Sequence, residues 1–343
     1  MLLTPRRTLL ALLPPALGFA RPGRALPPPG LAGNAIRQRA EAIPRLHALI
    51  VAKAGEVVLA ERLRGPALDR PVNVKSVSKA VLTALAGIAI GKGVLQGTGQ
   101  KLADVLSDLV PAEADPRVGE ITIGHLLSMQ AGLASTSGAN YGAWVNSRNW
   151  VRHILTRPFE TEPGGWMVYS TGTSHLLSAA LTMASGESTL SLARAWLGRP
   201  LDITIPAWDR DPQGIYLGGN NMALSPRALL AFGELYRNDG MVGETRVLPV
   251  GWVAESWQER TISNWTGDGY GYGYGWFSRE VKGHPVRFAW GYGGQMLFVV
   301  PDLALTVVMT SDPSPRPRGD GHVDALHDLL GELILPTAAG IGE

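Results

Sequence analysis

Apolar positions along the chain fall into three regimes. Near the start, residues 45–53 (RLHALIVAK) and 56–62 (EVVLAER) are β-branched runs split by Ala54-Gly55, which predicts two strands joined by a tight hairpin. A short helix over 35–42 precedes them. The spacing then turns helical. Residues 76–90 (SVSKAVLTALAGIAI) are apolar on nearly every side, which predicts a helix buried all round, ended by Gly91 and Gly93. Shorter helical patterns follow at 102–109, 121–130, 174–184, 190–197, 226–238 and 249–258, with Gly132 as a stop. The third regime is extended. Residues 270–277 read YGYGYGWF, which predicts one strand with Tyr270, Tyr272, Tyr274 and Trp276 on one face and glycines on the other. A bare glycine face suits close packing under a helix. Segments 286–290, 296–300 and 303–310 predict further strands. Asp320 is placed to cap a last helix running to about 335, with Leu326, Leu329, Leu330 and Leu333 on its apolar side.

This order implies an α+β fold in which strands from both chain ends meet in one antiparallel sheet, because an isolated hairpin is only marginally stable. The expected division is a leader and first helix at 26–42, a sheet part made of 43–75 plus 268–343, and a mainly helical part at 76–267, forming one catalytic unit. A groove between sheet and helices is the natural ligand site.

Residues 1–25 have a different character. Arg6 and Arg7 precede an apolar run, 9–20, that Pro14-Pro15 interrupts. Small residues offer cleavage points after Ala20 or Ala25. A bilayer span needs ~20 apolar residues, so the segment reads as a cleaved signal peptide and not as a stable membrane anchor. The paired arginines also suit twin-arginine export. The expected location is periplasmic or secreted.

Composition narrows the chemistry. The chain has 343 residues, 45% of them hydrophobic, enough for one large domain or two small ones. It has no Cys, which excludes a disulfide scaffold, a thiolate metal site and a cysteine nucleophile. Basic and acidic residues number 31 and 29 with no basic stripe, which argues against nucleic acid as a partner. The seven histidines show no H-E-x-x-H or H-x-H spacing, so no metal is expected. His125 reads as a satisfied core histidine, and His322 and His327 as surface residues. There is no G-x-S-x-G elbow, P-loop or convincing dinucleotide fingerprint, and no cofactor is implied.

What remains is Ser76-Val77-Ser78-Lys79, an S-x-x-K at the start of the buried helix. A helix start offers free N–H groups and the positive dipole end to developing negative charge. Ser76 and Lys79 share a helix face, and burial there disfavours the ammonium form of the lysine. A neutral amine beside a hydroxyl can take its proton. The motif alone equally suits a capping serine and a lysine that reaches solvent. Two more segments carry weight: Tyr169-Ser170-Thr171 just before a helix, and Gly291-Tyr292-Gly293-Gly294-Gln295 at a strand start, where small residues let a backbone N–H approach a substrate.

These three features in this order, with TIGHLLSMQAGL (122–133), RDPQGIYLGGN (210–220) and the GYGGQ…VVPDL run, resemble the serine β-lactamase-related hydrolases. That group includes class C β-lactamases, DD-peptidases, related esterases and aminohexanoate-oligomer hydrolases, and the last branch looks nearest. The resemblance spans about 40–335. It implies the β-lactamase/transpeptidase-like fold, Ser76 as acylated nucleophile, and Lys79 and Tyr169 as its acid/base pair. It implies an oxyanion hole from the N–H groups of Ser76 and Gln295, beside Tyr292, Gly293 and Gly294. Two positions depart from the family pattern. Thr171 replaces the asparagine of Y-x-N, and Tyr292 replaces the usual lysine or histidine; Asn220 is the candidate for the missing amide, although after two glycines it reads first as a turn residue. A lysine there pairs with a substrate carboxylate, so the change points to a small ester or amide lacking one. The rival readings are a true β-lactamase or D-alanyl-D-alanine carboxypeptidase, and a catalytically silent binding module. The sequence leaves the oligomeric state open.

Overall fold

Ala54 (φ 51°) and Gly55 (φ 87°) form a two-residue turn with both central residues left-handed, matching the twist of the strands it joins. Lys53 pairs with Glu56 across it. This hairpin, Leu46–Lys53 and Glu56–Arg62, opens the sheet of a computed structural model that describes residues 31–263, 269–314 and 319–340. The expected signal peptide and the leader as far as residue 30 lie outside the described residues.

The two chain ends do meet. Leu46–Lys53 pairs antiparallel with Leu305–Ser311, from Leu46↔Ser311 to Lys53↔Leu305. Among the described residues the sheet has eight strands in the order Glu56–Arg62, Leu46–Lys53, Leu305–Ser311, Gln295–Val300, His284–Gly291, Phe277–Val281, Tyr270–Tyr272, Thr261–Ser263. Every pairing within it is antiparallel. Alternate side chains feed two separate cores, as the period of two dictates. Ile50, Ala52, Leu297, Val299 and Val308 join the core that holds the buried helix Ser78–Gly91. Leu49, Val51, Met296, Phe298 and Val307 join the core beneath the terminal helices. The result is a sheet covered by helices on both faces, the β-lactamase/transpeptidase-like fold.

The helical middle includes Thr171–Ser185 and Pro226–Arg237. Thr171–Ser185 begins three residues before the patterned segment, immediately after Tyr169-Ser170.

Three expectations are corrected. Residues 270–277 do not form one strand. Tyr272 pairs with Phe277, and Gly273–Trp276 is a loop with Gly275 at φ 75°. The turn sends Tyr272 into one core and Tyr274 and Trp276 into the other, so the alternation served two faces. The glycines do permit close packing under a helix: a Cβ on Gly275 would lie 2.5 Å from Thr83 Oγ1 and 3.0 Å from the Lys79 carbonyl. The second correction concerns His322 and His327, each only 6% exposed. The N-cap of the helix His322–Asp328 is Gly321 (φ 70°) and not the expected Asp320, whose Oδ1 accepts the His322 N–H at 3.1 Å from one residue further back. That helix lies so that His327 wedges among the rings of Tyr270, Phe288 and Phe298.

Candidate active site

The short strand Val72–Asn73 pairs with Ala223–Leu224 and runs into a sharp corner. Lys75 adopts φ 51°, a conformation that costs a non-glycine residue on the order of 1–3 kcal/mol and is held here by Asn73 Oδ1 accepting its N–H at 2.9 Å. The corner starts a single 3-10 turn, Lys75–Val77, followed by the helix Ser78–Gly91. Ser76 therefore stands just ahead of the helix proper, not on its first turn. The strands His284–Gly291 and Gln295–Val300 pack against this turn. A Cβ on Gly291 would lie 2.4 Å from the Val74 carbonyl oxygen.

Lys79 does not reach solvent. It is 4% exposed, its Nζ lying 3.1 Å from Ser76 Oγ and donating to the Gly219 carbonyl at 2.8 Å. Burial alone pulls its ammonium down to about 7. The amine sits 4.7 Å from the centroid of the Tyr169 ring, and the Tyr169 phenol hydrogen-bonds Ser76. Burial pushes that phenol well above the ordinary tyrosine range, the bond to Ser76 pulling the other way. Ser76, Lys79 and Tyr169 thus converge on one hydroxyl.

Tyr169 is held by a ladder that the motif search missed. Ser135 Oγ donates to the Tyr169 carbonyl at 2.7 Å, and Ser170 Oγ accepts the Thr136 N–H at 3.1 Å. Ser137 Oγ accepts the Thr171 N–H at 2.8 Å, and Thr136 Oγ1 accepts the Gly172 N–H at 2.9 Å. Two orphan donors at the start of helix Thr171–Ser185 are satisfied this way. The signal was three consecutive hydroxyl residues, 135–137, with no apolar period of their own.

The other expected residues divide. Gly293 (φ 80°) and Gly294 (φ 88°) shape the turn before Gln295, where a Cβ on Gly294 would lie 2.6 Å from His322 Nε2. The Gln295 side chain is occupied by both backbone groups of Ser311, at 2.8 and 3.1 Å, and Gln295 pairs with Gly291 in the sheet; Tyr292 and Gly293 line the cavity, whereas Gly294 and Gln295 stand behind its wall. Tyr292 is 55% exposed at the rim. Asn220 lines the cavity, but its amide donates to Tyr141 Oη at 3.1 Å. The second partner of Lys79 is a backbone carbonyl, Gly219, and not an amide. Thr171 Oγ1 lies 3.0 Å from Ser137 Oγ.

A cavity of about 1070 Å³ opens over Ser76 and Tyr169. Met167, Phe277, Trp290 and Val323 make an apolar wall. Among its cations, Arg45 is paired with Asp320 at 2.6 Å, and Lys75 leans 3.4 Å from Asn221 Oδ1 towards Asp209. Among the described residues no group of three or more His, Asp or Glu side chains is placed to hold a metal ion.

The Beta-lactamase family model matches residues 35–331. The chain belongs to the Beta-lactamase family. As a member it is a serine hydrolase. Solved structures share the fold of this Beta-lactamase-family chain. EstCE1, a hydrolase with promiscuous acyltransferase activity, is 20% identical, with 87% of this chain and 97% of that chain covered at a TM-score of 0.72. A Bacillus anthracis protein assigned as a 6-aminohexanoate-dimer hydrolase is 16% identical, covering 89% and 81% at 0.71. A penicillin-binding protein homologue from Caulobacter crescentus is 17% identical, covering 88% and 98% at 0.68.

Proposed function

We propose that this Beta-lactamase-family chain is an exported esterase or amidase that cleaves a small ester or amide through an acyl-enzyme on Ser76. The observation that carries the reading is the Lys79 amine, brought to about 7 and placed 3.1 Å from Ser76 Oγ beside a large cavity. Neutral Lys79 accepts the Ser76 proton as Oγ bonds to the substrate carbonyl carbon. The N–H groups of Ser76 and Gln295 receive the oxyanion. The Tyr169 phenol, protonated at neutral pH, gives its proton to the leaving alcohol or amine as the scissile bond breaks, and the Lys79 ammonium restores it. Water then attacks the acyl carbon, losing its proton to Lys79, and Ser76 leaves with a proton in turn.

Uncharged Tyr292, Arg45 held by Asp320 and Lys75 drawn towards Asn221 favour substrates without a carboxylate at the oxyanion side. Residues 1–25 support export before activity, and the mature N-terminus is then expected after 20 or 25. Intact Met1 on protein from the native host would refute export.

The test is intact-mass detection of an adduct on Ser76 across esters, amides and a fluorescent penicillin. Turnover of p-nitrophenyl butyrate that vanishes in Ser76→Ala supports the enzyme. Equal rates in the two proteins leave only the silent binding module. Efficient penicillin or cephalosporin turnover moves the reading to β-lactamase or D-alanyl-D-alanine carboxypeptidase.

A further inference from the structure

Behind the cavity lies a second polar pair that the mechanism above does not use. The His175 and Asp211 side chains are fully buried, 0% exposed each, with Nε2 and Oδ2 3.1 Å apart. The indoles of Trp144 and Trp150 hold the imidazole edge-on, at centroid distances of 5.7 and 5.4 Å. Asp211 Oδ1 accepts the N–H groups of Gln213 and Ile215 at 2.9 and 2.8 Å. The carboxylate is therefore satisfied on both oxygens and fixed to its own turn.

The remaining ring nitrogen explains the pair. His175 Nδ1 accepts the Gly218 N–H at 3.2 Å. An acceptor nitrogen must be bare, so the ring proton sits on Nε2 and faces the carboxylate. The next residue along is Gly219, whose carbonyl accepts from Lys79. The turn packs closely against Ser174 and Lys79, which admits only glycine at both positions. A Cβ on Gly218 would lie 2.1 Å from the Ser174 carbonyl oxygen, and one on Gly219 would lie 2.9 Å from Lys79 Cγ. Burying a carboxylate is a poor way to stabilise a fold, whereas a buried polar pair can fix one arrangement among several.

We propose that the His175–Asp211 pair is a positioning device for Lys79: it fixes the Gly218-Gly219 turn so that the Gly219 carbonyl takes one amine hydrogen and leaves the nitrogen lone pair facing Ser76. The inference rests on the Lys79 role proposed above and deepens it. Asp211 selects the histidine tautomer, the tautomer holds the turn, and the turn orients the base. The groups facing the Lys79 side chain are the hydroxyls of Ser76, Thr83, Tyr169 and Ser174 with apolar neighbours, and beyond Tyr169 the Tyr272 phenol. None of these is a cation or carboxylate, so the carbonyl at 2.8 Å, with the Tyr169 ring face and Ser76 Oγ, is what favours the ammonium there.

The test uses the full chain with ¹³C-labelled lysine. Only six lysines are present, and Lys79→Ala identifies the resonance. Asp211→Asn keeps the carbonyl that accepts from Gln213 and Ile215 but turns an NH₂ towards Nε2, forcing the proton to Nδ1 and ejecting the Gly218 N–H. His175→Phe keeps a ring between the indoles and removes the acceptor, so it carries the test if Asp211→Asn does not fold. In folded variants the Lys79 titration is expected to fall by about one pH unit, a tenfold change in protonation. Its kcat on p-nitrophenyl butyrate is expected to fall roughly 10- to 100-fold with KM changed much less. General loosening would admit water and raise the titration, so a rise, or no change, overturns the proposal. A fall in the titration alongside wild-type activity that is not Ser76-dependent sustains the positioning role and refutes the esterase reading instead.

Discussion

Acidification should destabilise this protein through His327, and replacing that residue should remove a measurable part of the effect. The imidazole is 6% exposed, packed 5.4 Å from the rings of Phe288 and Phe298, and neither ring nitrogen has a partner among the described residues. Burial first, and the Arg279 charge second, bring its protonation down to about 3, against 6.5 for a free histidine. The folded state therefore excludes a proton that the unfolded chain binds. Stability from this group is intact above pH 6.5 and is lost progressively as pH falls from 6.5 towards 3. Between pH 7 and pH 5 the loss is about 2 kcal/mol, rising to about 5 kcal/mol at the acid limit, at about 1.4 kcal/mol per pH unit. Urea unfolding at both pH values, for wild type and His327→Leu, reads the difference. The carboxylates and other histidines act in both proteins and cancel in the comparison. The variant is expected to lose about 2 kcal/mol less than wild type between pH 7 and 5. Equal losses would mean that the ring is hydrated or partnered in solution, and the desolvation argument would fail.

Three further outcomes follow from the site. The kcat/KM for p-nitrophenyl butyrate should rise with pH through a midpoint near 7 and flatten above it, because neutral Lys79 is the active form; a profile flat from pH 5 to 8 would remove Lys79 as the base. Tyr169→Phe should lower kcat roughly 10²–10⁴-fold while the Ser76 adduct still forms slowly with activated esters, and an unchanged rate would take Tyr169 out of proton transfer. Gly275→Ala should destabilise by about 1–3 kcal/mol in urea unfolding and lower kcat, since the residue needs φ 75° and its Cβ would press on Thr83 and the Lys79 carbonyl; wild-type values for both would show that the turn adapts freely.

The parts of this molecule that were legible in the sequence are those whose cause is local. The Ala54-Gly55 hairpin, the all-apolar helix after Ser76 and the three-residue spacing of Ser76 and Lys79 depend on backbone preference and periodicity within a few residues. The family pattern added Tyr169 and the Tyr292–Gln295 turn. Tertiary structure decided what no period encodes. Whether Ser76 merely capped the helix while Lys79 reached solvent, or the two served a cleft, was open until the Gly219 carbonyl, 140 residues away, closed over the amine. The YGYGYGWF alternation looked like one strand because a period of two does not say which core each aromatic enters; the turn at Gly275 sends them to opposite faces. His327 looked like a surface residue because polarity was the only local cue, and its burial depends on three rings brought together by the sheet. The sequence by itself determined most of the elements and the spacing of the candidate pair Ser76 and Lys79. Only the folded chain determined the dielectric around that pair, and so the state of the amine, because desolvation is a property of everything packed around a group and not of its neighbours in sequence.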